Sequence, residues 1–163
     1  MTMRETTREG SHARRLFLVA NGSRAKGYRK RLAESGYDPV MEWDEPDARR
    51  PDSALGEDKP GRTFPSAGSG QRSAMEFDGI DDSPKEHAKR DLARSIAGDL
   101  AAALRAGGID SVVVVAPPPV ARAVIDHLPA EQRAAVAGED HHDLTGLPMA
   151  DLFARLDALR HGV

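Results

Sequence analysis

The sequence contains no cysteine, which excludes a disulfide framework, a thiolate metal site and a thiol nucleophile together. Aromatic residues are scarce at 4%, so a core has to be assembled from Val, Leu, Ile and Ala. An excess of one charge is also missing: 23 Lys and Arg against 26 Asp and Glu leave a net charge of −3, and nothing overall announces a nucleic-acid partner. Apolar runs such as Val112 to Ala116 are far too short to span a bilayer, and the start Met-Thr-Met-Arg-Glu lacks the apolar stretch of a signal peptide. A cytoplasmic protein without a membrane partner is expected. The length of 163 residues suits one domain over 14–163 behind a flexible tail at 1–13.

What is present is unevenly spread. From Arg4 to Arg31 nine basic residues face only Glu5 and Glu9, a balance of +7, whereas Asp38 to Asp58 carries −6. Such asymmetry marks either a binding face or two surfaces that neutralise each other.

Leu16-Phe17-Leu18-Val19-Ala20 is a continuous apolar run ended by the turn signal Asn21-Gly22, which reads as a strand feeding a tight turn. A basic strand holding Tyr28 and Leu32 follows. Tyr37 to Trp43 is expected as a third strand, with Pro39 pointing to an edge. Residues 44–83 change character, because fourteen of the forty are Pro, Gly or Ser, and form a long loop. A helix then begins with Ser83 as N-cap, Pro84 at the first position and Glu86 placed for a capping box, and ends at Gly107-Gly108. Ile109 to Ala116 is apolar on both faces and suits a central, covered strand. Pro117-Pro118-Pro119 opens another helix. A short helix from Pro129, a strand around 135–138 and a last helix from Pro148 complete the chain. The order β-β-β-α-β-α-β-α indicates a three-layer α/β domain with a mixed sheet of about five strands flanked by helices.

The run from Lys59 to Glu76 followed by Pro84-Lys85-Glu86-His87 resembles the bacterial family called "protein required for attachment to host cells". Val19-Ala20-Asn21-Gly22-Ser23-Arg24-Ala25, Val114-Val115-Ala116-Pro117-Pro118, and Asp143-Leu144-Thr145 with Pro148 resemble its opening strand, central strand and ending. The family in turn is similar to the middle domain of archaeal and eukaryotic peptide-release factors, which implies a ribonuclease-H-like fold with a Gly-Gly-Gln loop before a long helix. Gly68-Ser69-Gly70-Gln71 stands in the corresponding place, with Ser69 at the first glycine of the motif and Arg72 inserted after it. The resemblance implies action on RNA or the ribosome, and hydrolysis of the peptidyl-tRNA ester without a cofactor or metal. Gly68 and Gly70 would let the backbone approach the ligand closely, and the Gln71 N–H would stabilise the oxyanion. A non-catalytic interaction protein, with a protein partner, that affects host-cell attachment indirectly is the other reading.

Further candidates come from residue type alone. Arg24, Lys26, Tyr28, Arg29, Lys30 and Arg31 crowd five cations and a ring into eight residues, and strand alternation puts Arg24, Lys26, Tyr28 and Lys30 on one face. That pattern suits RNA phosphates and a stacked base, extended by Arg62 and Arg72, or else an edge strand guarded by its charges. His87 is placed as a general acid or base beside the loop. Glu139, Asp140, His141, His142 and Asp143 have metal-ligand chemistry, but adjacent histidines on a strand point apart. The Ala116 to Pro119 junction lies where α/β sheets bind ligands, yet prolines offer no N–H to a phosphate, and structural punctuation is expected there.

Overall fold

The computed structural model describes residues 14–48 and 83–162. Five strands form one mixed sheet: β1 (Arg15–Ala20), β2 (Arg24–Lys30), β3 (Tyr37–Asp44), β4 (Ser111–Val115) and β5 (Val136–Asp140), in the order β3-β2-β1-β4-β5. β1 runs antiparallel to β2 and parallel to β4, and β4 runs parallel to β5. The helices are α1 (Pro84–Ala106), α2 (Pro118–His127), α3 (Ala130–Arg133) and α4 (Met149–Gly162), and one 3-10 turn spans Pro46–Ala48.

Alternation along the two central strands divides the core. Leu16, Leu18, Val112 and Val114 face α1 and α2, meeting Leu92, Ile96 and Leu100 together with Val124 and Leu128. Phe17, Val19, Val113 and Val115 face the other way, toward Leu152 and Leu156 of α4. A strand buried on both faces must be apolar throughout, which is why Val112 to Val115 has no polar residue. The result is three layers, with α1 and α2 on one face of the sheet and α4 on the other.

Helix α1 is bounded by local chemistry. The Glu86 N–H donates to Ser83 Oγ at 3.2 Å, and Gly107 closes the helix in the left-handed region at φ 82°, where any other residue would be strained. β3 is an edge strand, and its pairing with β2 slips between Gly27 and Tyr28, so that Met41 and Pro39 are successive partners and Val40 is bypassed. The bulge falls beside the proline, which cannot donate to a ladder. β2 ends at Lys30, and Leu32, expected within it, lies outside the strand with 82% of its surface exposed. The last strand runs to Asp140, two residues beyond the expected end.

Candidate functional site

β1, β4 and β5 are parallel, so the turns after them gather at one end of the sheet. After β1 the chain moves to β2 and β3, and after β4 it moves the opposite way to β5. The border between β1 and β4 is therefore a point of divergence, the place where open α/β sheets form a crevice. A cavity of about 760 Å³ opens there. Asn21, Gly22 and Ser23 follow β1 into it; Lys85, Glu86, Lys89 and Arg90 come from the first two turns of α1; Asp143 follows β5. Leu92, Ala93 and Ile96 of α1 with Pro117, Pro119, Val120 and Ala123 supply an aliphatic wall.

The turn after β1 is built by one side chain. Asn21 Oδ1 accepts from the N–H groups of Ser23 (2.9 Å) and Arg24 (3.0 Å), and its Nδ2 donates to Thr145 Oγ1 (2.9 Å) and Asp143 Oδ2 (3.3 Å). Asp143 also accepts from the Thr145 N–H at 3.0 Å. Burial pushes the Asp143 carboxyl up, but hydrogen bonds from Thr145 and Asn21 and the charge of Arg24 outweigh it and hold the group below the usual carboxylate range. Gly22 lies under Lys89: a Cβ there would meet the Lys89 chain at 3.1 Å from Cε and 3.3 Å from Cδ. The glycine serves close approach, since its φ is not positive. Lys89 Nζ pairs with Glu86 Oε1 at 3.1 Å.

Sequence-predicted residues are dispersed relative to this cavity. Gly68, Gly70, Gln71, Arg62 and Arg72 lie outside the described residues. His87 is exposed on the first turn of α1, with Nδ1 at 3.2 Å from Arg90 Nη2, and does not itself line the cavity. The basic run meets acids across the β2–β3 pair: Arg24 is opposite Asp44, Lys26 opposite Glu42 and Arg29 opposite Asp38. Arg31 binds Asp38 at 2.9 Å, and Lys30 donates to the carbonyls of Arg31 and Glu34 at 2.9 and 2.8 Å. Tyr28 is 4% exposed and packs into the core on the α4 face, and with Arg24 and Lys26 it lines a smaller cavity of about 380 Å³ that Glu42, Asp44, Leu147 and Met149 also border.

The acidic and histidine cluster separates into pairs. His141 Nε2 contacts Glu139 Oε1 at 2.9 Å, while His142 Nδ1 contacts Asp140, which also accepts from Arg155 Nη2 at 2.8 Å. Among the described residues, no three His, Cys, Asp or Glu side chains gather to hold a metal ion. No helix among them is long and apolar enough to cross a membrane.

Sequence reasoning missed Lys85, Lys89 and Arg90 as one group, and missed Asn21 and Asp143 as their neighbours. The available signal was positional: Asn21-Gly22 and Pro117 both follow parallel strands. Pro117 does punctuate, its carbonyl accepting from the N–H groups of Val120 and Ala121, and it also lines the cavity. The lining brings together three cations and Glu86 from α1, a hydrogen-bonded amide and carboxylate, and an aliphatic wall, which suits an anionic ligand with a less polar body.

No curated protein matches the chain in sequence. A solved structure described as "Archaeal protein" is similar at 10% identity with a TM-score of 0.43, covering 98% of this chain and 42% of that one, so the chain spans less than half of that structure's length. The family model described as "Protein required for attachment to host cells" matches residues 16–156, from β1 into α4, and the chain belongs to that family.

Proposed function

We propose that the protein acts on RNA, at or near the ribosome, in the manner of a peptide-release factor, and engages the RNA at the cavity beside β1 and β4. The observation that carries this reading is the set Lys85, Lys89 and Arg90 on one side of a cavity with an aliphatic wall. Cations bind backbone phosphates in any sequence, and an apolar wall accommodates an unstacked base. Ala48 and Lys85, which lie in the sequence on either side of Gly68-Ser69-Gly70-Gln71, both line the cavity. The reaction this reading assigns is hydrolysis of the peptidyl-tRNA ester. Water attacks the carbonyl carbon, the bond to the ribose oxygen breaks, and that oxygen takes up a proton.

The test is binding of a short labelled single-stranded RNA at several salt concentrations by wild type and by the variant Lys85→Ala/Lys89→Ala/Arg90→Ala. The triple variant is expected to bind about a hundredfold more weakly at low salt and to show a shallower salt dependence, since each lost phosphate contact on a single strand removes about 0.7 of a unit of slope. An unchanged slope in a folded variant rejects this surface. Release of labelled peptide from peptidyl-tRNA by the wild type, measured beside it, separates an enzyme from a binding protein.

A second reading, a non-catalytic protein that binds another protein, is favoured by the acids facing Arg24, Lys26 and Arg29 across β3, which cancel the positive field that RNA would seek there. Capture of one protein partner from lysate, insensitive to ribonuclease, is its expected sign.

A further inference from the structure

We propose that the cavity between α1, α2 and the turn after β1 is a site for a single nucleotide, with the phosphate held by Lys85, Lys89 and Arg90 and the nucleoside lying against the aliphatic wall. This deepens the RNA reading and depends on it for the biological source of the nucleotide, which is either the unpaired end of an RNA or a free nucleoside monophosphate.

Three observations carry it. The first is size: about 760 Å³ falls in the range of pockets that enclose small organic ligands, and exceeds what a phosphate alone would fill. The second is the division of the lining. Lys85, Lys89 and Arg90 stand together on α1 with Glu86, which pairs with Lys89 and leaves an excess of positive charge there, and Asp143 lines the cavity from the loop after β5. Asp143 Oδ2 takes one hydrogen bond, from Asn21, and a carboxylate oxygen accepts about two. A ribose hydroxyl or an exocyclic amine therefore has an acceptor there. The third is Gly22, against which the Lys89 chain lies at the cavity: a Cβ there would stand 3.1 Å from Lys89 Cε, so glycine lets the two approach without displacement.

The carboxylate is aligned from more than one element. Asn21 and Thr145 both hold it, so the polar end of the site is set before ligand arrives and costs little to order on binding.

The experiment is calorimetric titration of the full chain at low salt with adenosine monophosphate and, separately, with inorganic phosphate. Wild type is compared with Lys89→Ala, Gly22→Ala and Ala123→Phe, each confirmed folded by circular dichroism. Loss of a charge-assisted phosphate contact at Lys89 is expected to weaken nucleotide binding by about tenfold. Gly22→Ala keeps every charge and makes the flexible Lys89 chain give way only slightly, and is expected to change nucleotide binding far less than Lys89→Ala. Ala123→Phe fills the aliphatic side and is expected to abolish nucleotide binding. Inorganic phosphate is expected to bind more weakly than the nucleotide. Competition with a short single-stranded RNA then identifies the source: displacement of the nucleotide points to an RNA end, and its failure to a free nucleotide. No nucleotide binding by wild type, with RNA binding intact, overturns the nucleotide site and leaves the RNA reading standing. Equal affinity for phosphate and nucleotide, or affinity unchanged in Lys89→Ala and Ala123→Phe, also overturns it.

Discussion

The Asp140 side chain is 5% exposed at the carboxyl end of β5, where a lone carboxylate would be costly. Burial pushes its pKa up, but hydrogen bonds from His142 and Arg155, with the charge of Arg155, outweigh burial and leave it below the ordinary value. Arg155 Nε and Nη2 both approach Oδ2, at 3.1 and 2.8 Å, tying α4 to the edge of the sheet. Arg155→Ala is expected to cost about 1.5–3 kcal/mol, the usual worth of hydrogen bonds to a charged group, read from urea unfolding at neutral pH. The pH dependence has a defined sign. Because the folded pKa lies below the unfolded value of about 3.9, the contribution is fully present above that value and is lost as pH falls through the lower folded pKa. Unfolding curves taken from neutral to acid pH should therefore show wild type and variant converging only at the acid end. Tyr37 is a second buried polar group satisfied by α4. Burial first, then its hydrogen bond to Asp157 at 2.7 Å, raises its pKa, so the phenol stays neutral and donates throughout the ordinary pH range.

Helix α1 carries both the largest share of one core and the cations of the candidate site, so its first turn matters twice. Ser83→Ala removes the acceptor for the Glu86 N–H and is expected to cost about 1 kcal/mol. Gly107→Ala forces a Cβ into the left-handed region and is expected to cost about 1–2 kcal/mol. Thermal unfolding of both variants checks these magnitudes. If the cap alone orders the first turn, Ser83→Ala also weakens RNA binding through Lys85, while Gly107→Ala at the far end does not. The β2–β3 pair shows the opposite relation between pattern and use. Its basic residues are conspicuous in the chain, yet the register sets an acid across from Arg24, Lys26 and Arg29, and opposite charges on neighbouring strands stabilise the pair.

For the whole molecule, the decisive feature is a sheet covered on both faces. Leu100 on the α1 face and Leu156 on the α4 face are each 0% exposed, and truncating either to Ala is expected to cost about 2–5 kcal/mol. The sheet separates them, so the double variant should be additive within about 0.5 kcal/mol; urea unfolding of both singles and the double checks this. A negligible cost at Leu156 would mean that α4 does not complete a third layer. The long helix and the central strand were legible because their determinants are local. Ser83, Pro84 and Gly107 act on backbone groups within a few residues of themselves, and Val112 to Val115 needs only its own composition to require cover on both faces. The candidate site was not legible in that way. Asn21 and Asp143 are 122 residues apart and meet because β1 and β5 flank β4 in parallel, and Lys89 lies against the neighbouring Gly22 because α1 packs over the same strands. Tyr28 has the sequence context of an exposed basic strand, and only the placement of α4 buries it. Capping and burial periodicity are short-range properties that the chain writes down directly, whereas strand order and helix placement follow from packing all the elements together, and they decide which charges face a cavity and which face each other.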